Sequence, residues 1–261
     1  MITHSHDPLI FNAGVNRIKY SKNGSSNDNC PFCDKSQQAN IHKVQDDMVW
    51  LDNKFMTIEN SQMTVLIESA EHLGDVTTYS RKKNRELFRF AFACWQETMD
   101  SGKFDSVLMF KNFGPMSGGS LRHPHMQIVG LTCNDGYEDV TAENFSGINV
   151  LKNDRIEISL SDHPIMGLAE TNISQNCVMS ADDEDLFADA VQNTAKYYMN
   201  DFMNGRCDSY NLFFYKIDGR TICKVVPRFL TSPYFIGYKI PQIFTNERMQ
   251  EIVQELRKAL T

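Results

Sequence analysis

The sequence predicts an α+β fold, a mainly antiparallel sheet with helices packed on it, made as two related halves in tandem. Three observations predict it. First, an ordered pattern of helix, strand, glycine turn and strand occurs twice: ELFRFAFACWQETMDSGKFDSVLMFKNFG has a weak counterpart in DLFADAVQNTAKYYMNDFMNGRCDSYNLFFYKIDG, the mark of an internal duplication. Second, short apolar, β-branched segments bounded by turn residues read as strands. Third, a chain of 261 residues that is 41% hydrophobic can bury a large core, and none of its apolar runs approaches the ~18 residues of a membrane span.

The elements follow in order. Residues 1–28 are polar and turn-rich and read as an N-terminal arm. MVWLDN (48–53) and MTVLIES (63–69) read as strands. Residues 81–102 read as a helix with Leu87, Ala91, Cys94 and Trp95 on one face and Ser-Gly at its end. SVLMFKN (106–112) is a strand, followed by a glycine-rich turn and the strand HMQIVGL (125–131). Residues 181–206 read as a second helix, capped by Ser180 with acids in its first turn. The strands SYNLFFYK (209–216) and TICKVVPRF (221–229) follow, joined by IDGR. Residues 245–260 close the chain as an amphipathic helix with Met249, Ile252, Val253, Leu256 and Leu260 inward. The expected division is arm 1–28, first repeat 29–140 and second repeat 141–261. Where the first repeat reads HPHMQ the second reads CKVVP, so only the first carries chemistry.

The net charge is −7 with no basic stripe, which argues against nucleic acid as a partner. MITHSHDPLI lacks the basic and apolar regions of a signal peptide. The seven cysteines are scattered, which fits reduced thiols in a cytoplasm.

Two motifs carry chemistry. CPFC (30–33) is a knuckle whose thiols can share one zinc ion, with His72 and His123 as candidates for the other ligands. A buried pair and a thioredoxin-type redox motif are the alternatives. The second would need the motif to open a helix after a strand, whereas here it follows an Asn/Ser/Gly loop. SGGSLRHPHMQIVG (117–130) is the other motif. A neutral imidazole can attack phosphorus, and His125 opens a strand just after Gly118, Gly119 and Ser120, whose backbone can approach phosphate oxygens closely. Ser120 and Gln127 are neutral donors on the same segment. Alternation places His123, His125 and Gln127 on one face.

HPHMQ after a Gly-Gly-Ser turn resembles the active-site signature of the galactose-1-phosphate uridylyltransferases, the transferase branch of the histidine-triad superfamily. ESAEHLGDVTTYS, CPFC, VWLDNKF and PRFLTSPYFIGYKI resemble further family segments, so the likeness runs from about residue 28 onward. The resemblance implies tandem histidine-triad-like repeats and a structural zinc held by Cys30, Cys33, His72 and His123. It implies His125 as the nucleophile, Gln127 and Ser120 on phosphate oxygens, and Asn112, Gly114, Gly118 and Gly119 as the phosphate cradle. Leu51 and Asn53 would meet base and ribose. Hydrolytic relatives carry a third histidine where Gln127 stands, so the glutamine marks the transferase branch.

This chain departs from the family in three places. TICKVVPRF has no histidine, so no second metal is expected there. Lys239, after Tyr238, replaces an acid that contacts the hexose, which points to a phosphate or carboxylate on the acceptor. The family's N-terminal arginines have only Arg17 and Arg122 as candidates here. The expected function is transfer of a nucleoside monophosphate between a nucleotide-sugar, or similar phosphoanhydride, and a phosphorylated acceptor through a nucleotidyl-histidine. The alternatives are hydrolysis or phosphorolysis of a nucleotide-sugar or dinucleotide on the same histidine, and a non-catalytic nucleotide sensor. The resemblance also implies a homodimer.

Overall fold

A computed structural model describes residues 8–14 and 30–261; most of the expected arm, with His4, His6 and Arg17, lies outside these residues. The described chain divides into two compact units. The first comprises the chain up to Gly74 with Phe90–Phe110 and Leu121–Asp139, and the second comprises Asp75–Arg89, Lys111–Ser120 and Val140–Thr261.

In the first unit β1 (Ile41–Gln45), β2 (Met48–Asp52), β3 (Ser61–Ile67), β4 (Ser106–Phe113) and β5 (His125–Leu131) lie in the order β1-β2-β3-β5-β4. The β1–β2, β2–β3 and β3–β5 pairs are antiparallel. Their register sorts the side chains by face. Val49, Ile67 and His125 stand opposite one another across three strands, as do Leu51, Val65 and Gln127. The other face carries Trp50, Leu66, Met126 and Ile128, all buried. There the indole of Trp50 donates to Thr64 Oγ1 at 2.8 Å, and Thr64 donates to the carbonyl of Ile128 at 2.9 Å. The helix α1 (Arg81–Asp100) runs through both units. Its Trp95 is wholly buried and donates to the carbonyl of Val107 in β4 at 3.0 Å.

The second unit holds β6 (Gly147–Lys152), β7 (Glu157–Ser161), β8 (Thr171–Asn176), β9 (Tyr210–Ile217) and β10 (Arg220–Pro227) in the order β9-β10-β8-β7-β6, with the β9–β10, β10–β8, β8–β7 and β7–β6 pairs all antiparallel. The β9–β10 turn is Asp218-Gly219, both with positive φ, as a two-residue type I′ hairpin requires. The helix α2 (Ala181–Asn200) is capped by Ser180 in a reciprocal capping box with Asp183. It packs on β8 and β10, and Tyr198 reaches the hydroxyl of Thr171 and the carbonyl of Ala169. A short helix α3 (Pro233–Tyr238) precedes α4 (Asn246–Leu260), which buries Met249, Ile252, Val253 and Leu256 against α2 and β6.

Each unit therefore repeats one plan: three strands, a helix and two strands, with the last strand inserted beside the third. This is the α+β, tandem-repeat fold the sequence predicts, with four differences in detail. The strands β6, β7 and β8 are additional, because Ser159, Asn172 and Ser174 lend them the composition of loops. The strand β1 is additional too; its five residues are all exposed, and His42 sits there with its Nε2 2.7 Å from Asp52. The second helix stops at Asn200, short of residue 206, because Met203 and Gly205 take positive φ. Leu260 is only half-buried at the frayed end of α4.

One ion pair lies deep in the second unit. Lys224 and Glu170 are each 1% exposed and 3.0 Å apart. Lys224 also donates to the carbonyl of Asn144 at 2.7 Å, and the carboxylate of Glu170 accepts the N–H groups of Ile165, Met166 and Gly167. Burial pulls the Lys224 ammonium below its ordinary range, against the opposing effect of Glu170. Lys224→Met leaves that carboxylate without its cation and should destabilise the chain by about 3–5 kcal/mol in urea titration. Lys152→Met, which breaks the exposed pair with Glu157, should cost less than about 1 kcal/mol in the same assay.

Candidate metal and nucleophile site

The CPFC segment folds as a knuckle. The N–H groups of Cys33 and Asp34 both donate to the carbonyl of Cys30, and Asp34 then caps the next short turn by accepting from the N–H of Ser36 at 3.0 Å. The two sulfurs meet two imidazoles: Cys33 Sγ lies 3.3 Å from Nδ1 of His72 and 3.3 Å from Nδ1 of His123. One ligand atom from each of Cys30, Cys33, His72 and His123 falls within 4.8 Å of every other. Desolvation, with Cys30 alongside, raises the Cys33 thiol above its ordinary range, so the thiolates a metal needs are favoured only by a cation among them. His123 is wholly buried and its Nε2 donates to the carbonyl of Ser69 at 2.8 Å. That bond fixes the tautomer and leaves Nδ1 to coordinate, as an outer hydrogen bond does for metal-binding histidines. The residues fit a tetrahedral ion of the Cys₂His₂ kind.

His125 follows directly. Its Nδ1 lies 2.8 Å from the carbonyl of His123. A carbonyl only accepts, so Nδ1 carries the proton and the lone pair sits on Nε2. The strand β5 starts at His125, so alternation places His125 and Gln127 on one face, while His123 precedes the strand and belongs to the knuckle. The face around His125 is apolar: Leu51, Val65 and Ile67 form a buried cluster joined by Val49 and Phe32. Phe32 stands edge-on to both His123 and His125, with ring centroids 5.7 and 5.3 Å away. It is the second variable residue of CPFC, where spacing analysis sees only cysteines, and its aromaticity was the one available signal. Asn53, just beyond β2, accepts from the N–H of Phe55 at 2.9 Å.

The glycine-rich turn, Lys111–Ser120, belongs to the second unit. Gly114 has φ +85°, and a Cβ there would run into the carbonyl of Asp208 and into Ser209. The hydroxyl of Ser209 accepts from the N–H of Met116 at 3.0 Å. Asn211 donates to Asn112 Oδ1 at 2.7 Å and to the carbonyl of Ser117 at 3.0 Å. Ser117 then accepts from the N–H of Gly119 at 3.3 Å. Ser209 and Asn211 were not identified from sequence, because they lie almost a hundred residues from the turn they brace. Ser120 and Arg122 are exposed. Tyr238 is 75% exposed at the end of α3, and Lys239 caps that helix with φ +55°.

The remaining cysteines are unlike the knuckle pair. Cys94, Cys207 and Cys223 are buried, and burial pushes the Cys94 thiol up to about 12. Cys133 is exposed and Cys177 half-buried; Cys133 lies just past the end of β5, and Cys177 just past the end of β8. No helix among the described residues is long and apolar enough to cross a membrane.

Residues 11–133 match the N-terminal domain, and residues 137–260 the C-terminal domain, of a family described as a domain of unknown function, DUF4931. A DUF4931 family protein of known structure from Bacillus cereus is 40% identical, with a TM-score of 0.76, over 85% of this chain and 100% of that one. A uridylyltransferase shares the fold at 13% identity and a TM-score of 0.71, over 91% of this chain and 93% of its own. So does an ADP-glucose phosphorylase from Arabidopsis thaliana solved with ADP-glucose, at 13% identity and 0.67, over 96% and 98%. The fold is thus one shared with a uridylyltransferase and an ADP-glucose phosphorylase. No curated protein matches the chain.

The cluster predicts one tightly held divalent metal ion per chain by elemental analysis of the purified protein. Cys33→Ser should lose the ion and lower the melting temperature, since binding energy at such a site is folding energy.

Proposed function

The chain belongs to the DUF4931 family, and we propose that it transfers a nucleoside monophosphate through a nucleotidyl-histidine formed on His125. One observation carries the reading: Nδ1 of His125 is bound to the carbonyl of His123, whose own ring joins the Cys/His cluster. An imidazole held by one nitrogen presents the other as a nucleophile of fixed direction, which is what covalent catalysis at phosphorus requires. A site built only to bind a nucleotide needs no such constraint.

In the first half-reaction the Nε2 lone pair attacks the α-phosphorus of a nucleotide-sugar. A P–N bond forms, the P–O bond to the sugar phosphate breaks, and the sugar phosphate leaves with the bonding pair. In the second, an oxygen of a phosphorylated acceptor attacks the same phosphorus, the P–N bond breaks, and His125 returns to its starting tautomer. Gln127, two residues along the same face, donates its amide to a non-bridging oxygen. It cannot ferry a proton to a leaving group, so the intermediate waits for an acceptor that arrives already ionised. Asn112, Gly114, Gly118, Gly119 and Ser120 supply further donors to the phosphates, and Arg122 supplies countercharge. Leu51 packs against the base, and Asn53 turns its Nδ2 to the ribose. Tyr238 and Lys239 receive the acceptor, the ammonium matching its phosphate.

Zinc suits the two thiolates and two imidazoles of Cys30, Cys33, His72 and His123. When bound it would supply a rigid anchor for the knuckle and the His123 main chain, without contacting the substrate. A nucleotide-sugar donor is favoured because the uridylyltransferase and the ADP-glucose phosphorylase are built on the same fold. With inorganic phosphate as acceptor the same two steps become phosphorolysis.

Intact mass under non-acidic conditions tests this reading. Brief mixing with UDP-glucose, UDP-galactose, ADP-glucose or a diadenosine polyphosphate should add one nucleoside monophosphate to the wild type, and the added mass names the base. His125→Asn should carry no adduct and lose turnover by at least about 10³-fold; Gln127→Ala should retain the adduct and lose about 10²–10³-fold. Donor binding with no adduct and no product would leave the sensor reading instead.

A further inference from the structure

The duplicated plan makes it possible to ask what occupies, in the second repeat, the face that carries His125 in the first. The strand β10 occupies the place of β5, beside the third strand of its repeat, and it begins at Arg220. Arg220 and Ile222 therefore start β10 on one face as His125 and Gln127 start β5, and the CKVVP stretch lies further along. The register puts Ile222, Ser174 and Glu157 opposite one another, and Lys224, Asn172 and Ser159 likewise. The opposite face of this sheet carries Thr171, whose hydroxyl meets Tyr198 of α2.

A half-open cavity of about 200 Å³ lies on this face, bounded by Phe145, Glu157, Ser159, Asn172, Ser174 and Arg220 among others. In the first repeat the positions that match Glu157, Ser174 and Asn176 are Leu51, Val65 and Ile67, an apolar cluster; here they are a carboxylate, a hydroxyl and an amide, with the hydroxyl of Ser159 and the amide of Asn172 further along the same face. Two of these groups are buried without a partner. Asn172 is 2% exposed and its Oδ1 has none, and Ser174 is 5% exposed with no partner for its Oγ. The amide nitrogen of Asn172 makes only two long bonds of 3.4 Å, to the carbonyl of Ser146 and to Ser159 Oγ. A buried polar atom left unsatisfied is costly, so two on one cavity wall mark where a ligand's hydroxyls belong. At the rim Arg220 forks onto Glu157 at 3.0 and 3.1 Å.

The cavity also states what the ligand is not. The residues between β4 and β5 form a long glycine-rich loop, but the matching connection between β9 and β10 is the two-residue Asp218-Gly219 turn. It offers no nest of N–H groups, and Asp218 lines the cavity beside Glu157, with Arg220 the one cation among the lining residues and Lys224 behind Phe145 already paired with Glu170. An anionic ligand is disfavoured. The size admits a single ring, since a cavity of about 150 Å³ takes benzene. A nucleobase would need a flat apolar clamp, whereas the ring of Phe145 is already met edge-on by Tyr215 and overlaid by Lys224.

We propose that the second repeat binds a small uncharged polyhydroxylated ring, of monosaccharide size and without phosphate, in the cavity walled by Ser159, Asn172, Ser174, Glu157 and Arg220. The site is independent of the His125 chemistry. The test is saturation-transfer NMR on the full chain with millimolar glucose, galactose, ribose or inositol, run beside uridine and adenosine. Transfer to ring protons of at least one neutral polyol is expected, unchanged by excess UMP and unchanged in His125→Asn. Ser174→Leu, which fills the cavity, should abolish it. Ser174→Ala, which adds no bulk and so keeps the test valid if the leucine variant misfolds, should weaken binding roughly tenfold. Any of four results overturns the proposal: no transfer to any polyol, transfer that UMP or His125→Asn removes, transfer that persists in a folded Ser174 variant at full strength, or transfer to the nucleosides alone.

Discussion

The carbonyl of His123 is the point on which the proposed catalytic arrangement rests. It accepts the Nδ1 proton of His125, and its position is set from two sides. The His123 ring is pinned at Nε2 by the carbonyl of Ser69, and its Nδ1 points into the group of Cys30, Cys33 and His72. Neighbouring bonds extend the brace, because the N–H of Glu68 donates to the carbonyl of Pro124 at 3.1 Å. A change at any of these groups would reach His125 as a rotation of its ring. In the attack on phosphorus proposed above, where effective alignment would account for much of the rate, such a rotation would matter more than the loss of any single contact.

Phe32 links the two parts of this arrangement. It sits between the two cysteines and stands edge-on to both imidazoles while packing on Leu51, Val65 and Ile67. The knuckle thus has an apolar function beside its ligand function. It covers one side of His125 with apolar surface.

The sequence was informative where chemistry is local and silent where it is assembled from afar. The Cys-x-x-Cys knuckle and the His-Pro-His-x-Gln run each lie within a few residues, so both motifs were legible, while the joining of His72 and His123 to the cysteines came only from the family resemblance. The helices were legible because Leu87, Ala91 and Trp95, or Met249, Ile252 and Val253, repeat with the helical period. The strands β6 to β8 were not, since one of their faces is polar and alternation of hydroxyls with apolar residues over five or six positions reads as loop. Ser209 and Asn211 were also invisible, as nothing in SYN announces a contact with a turn so distant in sequence.

That last pairing has an evolutionary consequence. The second repeat has lost the histidines, yet it holds the glycine-rich turn of the first, through Ser209, Asn211 and the close approach of Asp208 to Gly114. A duplicated copy without chemistry would ordinarily be free to drift or to be deleted. Here the turn between β4 and β5 is packed inside the other unit, so deleting that copy would remove the residues that hold the turn's backbone, almost a hundred positions away in sequence.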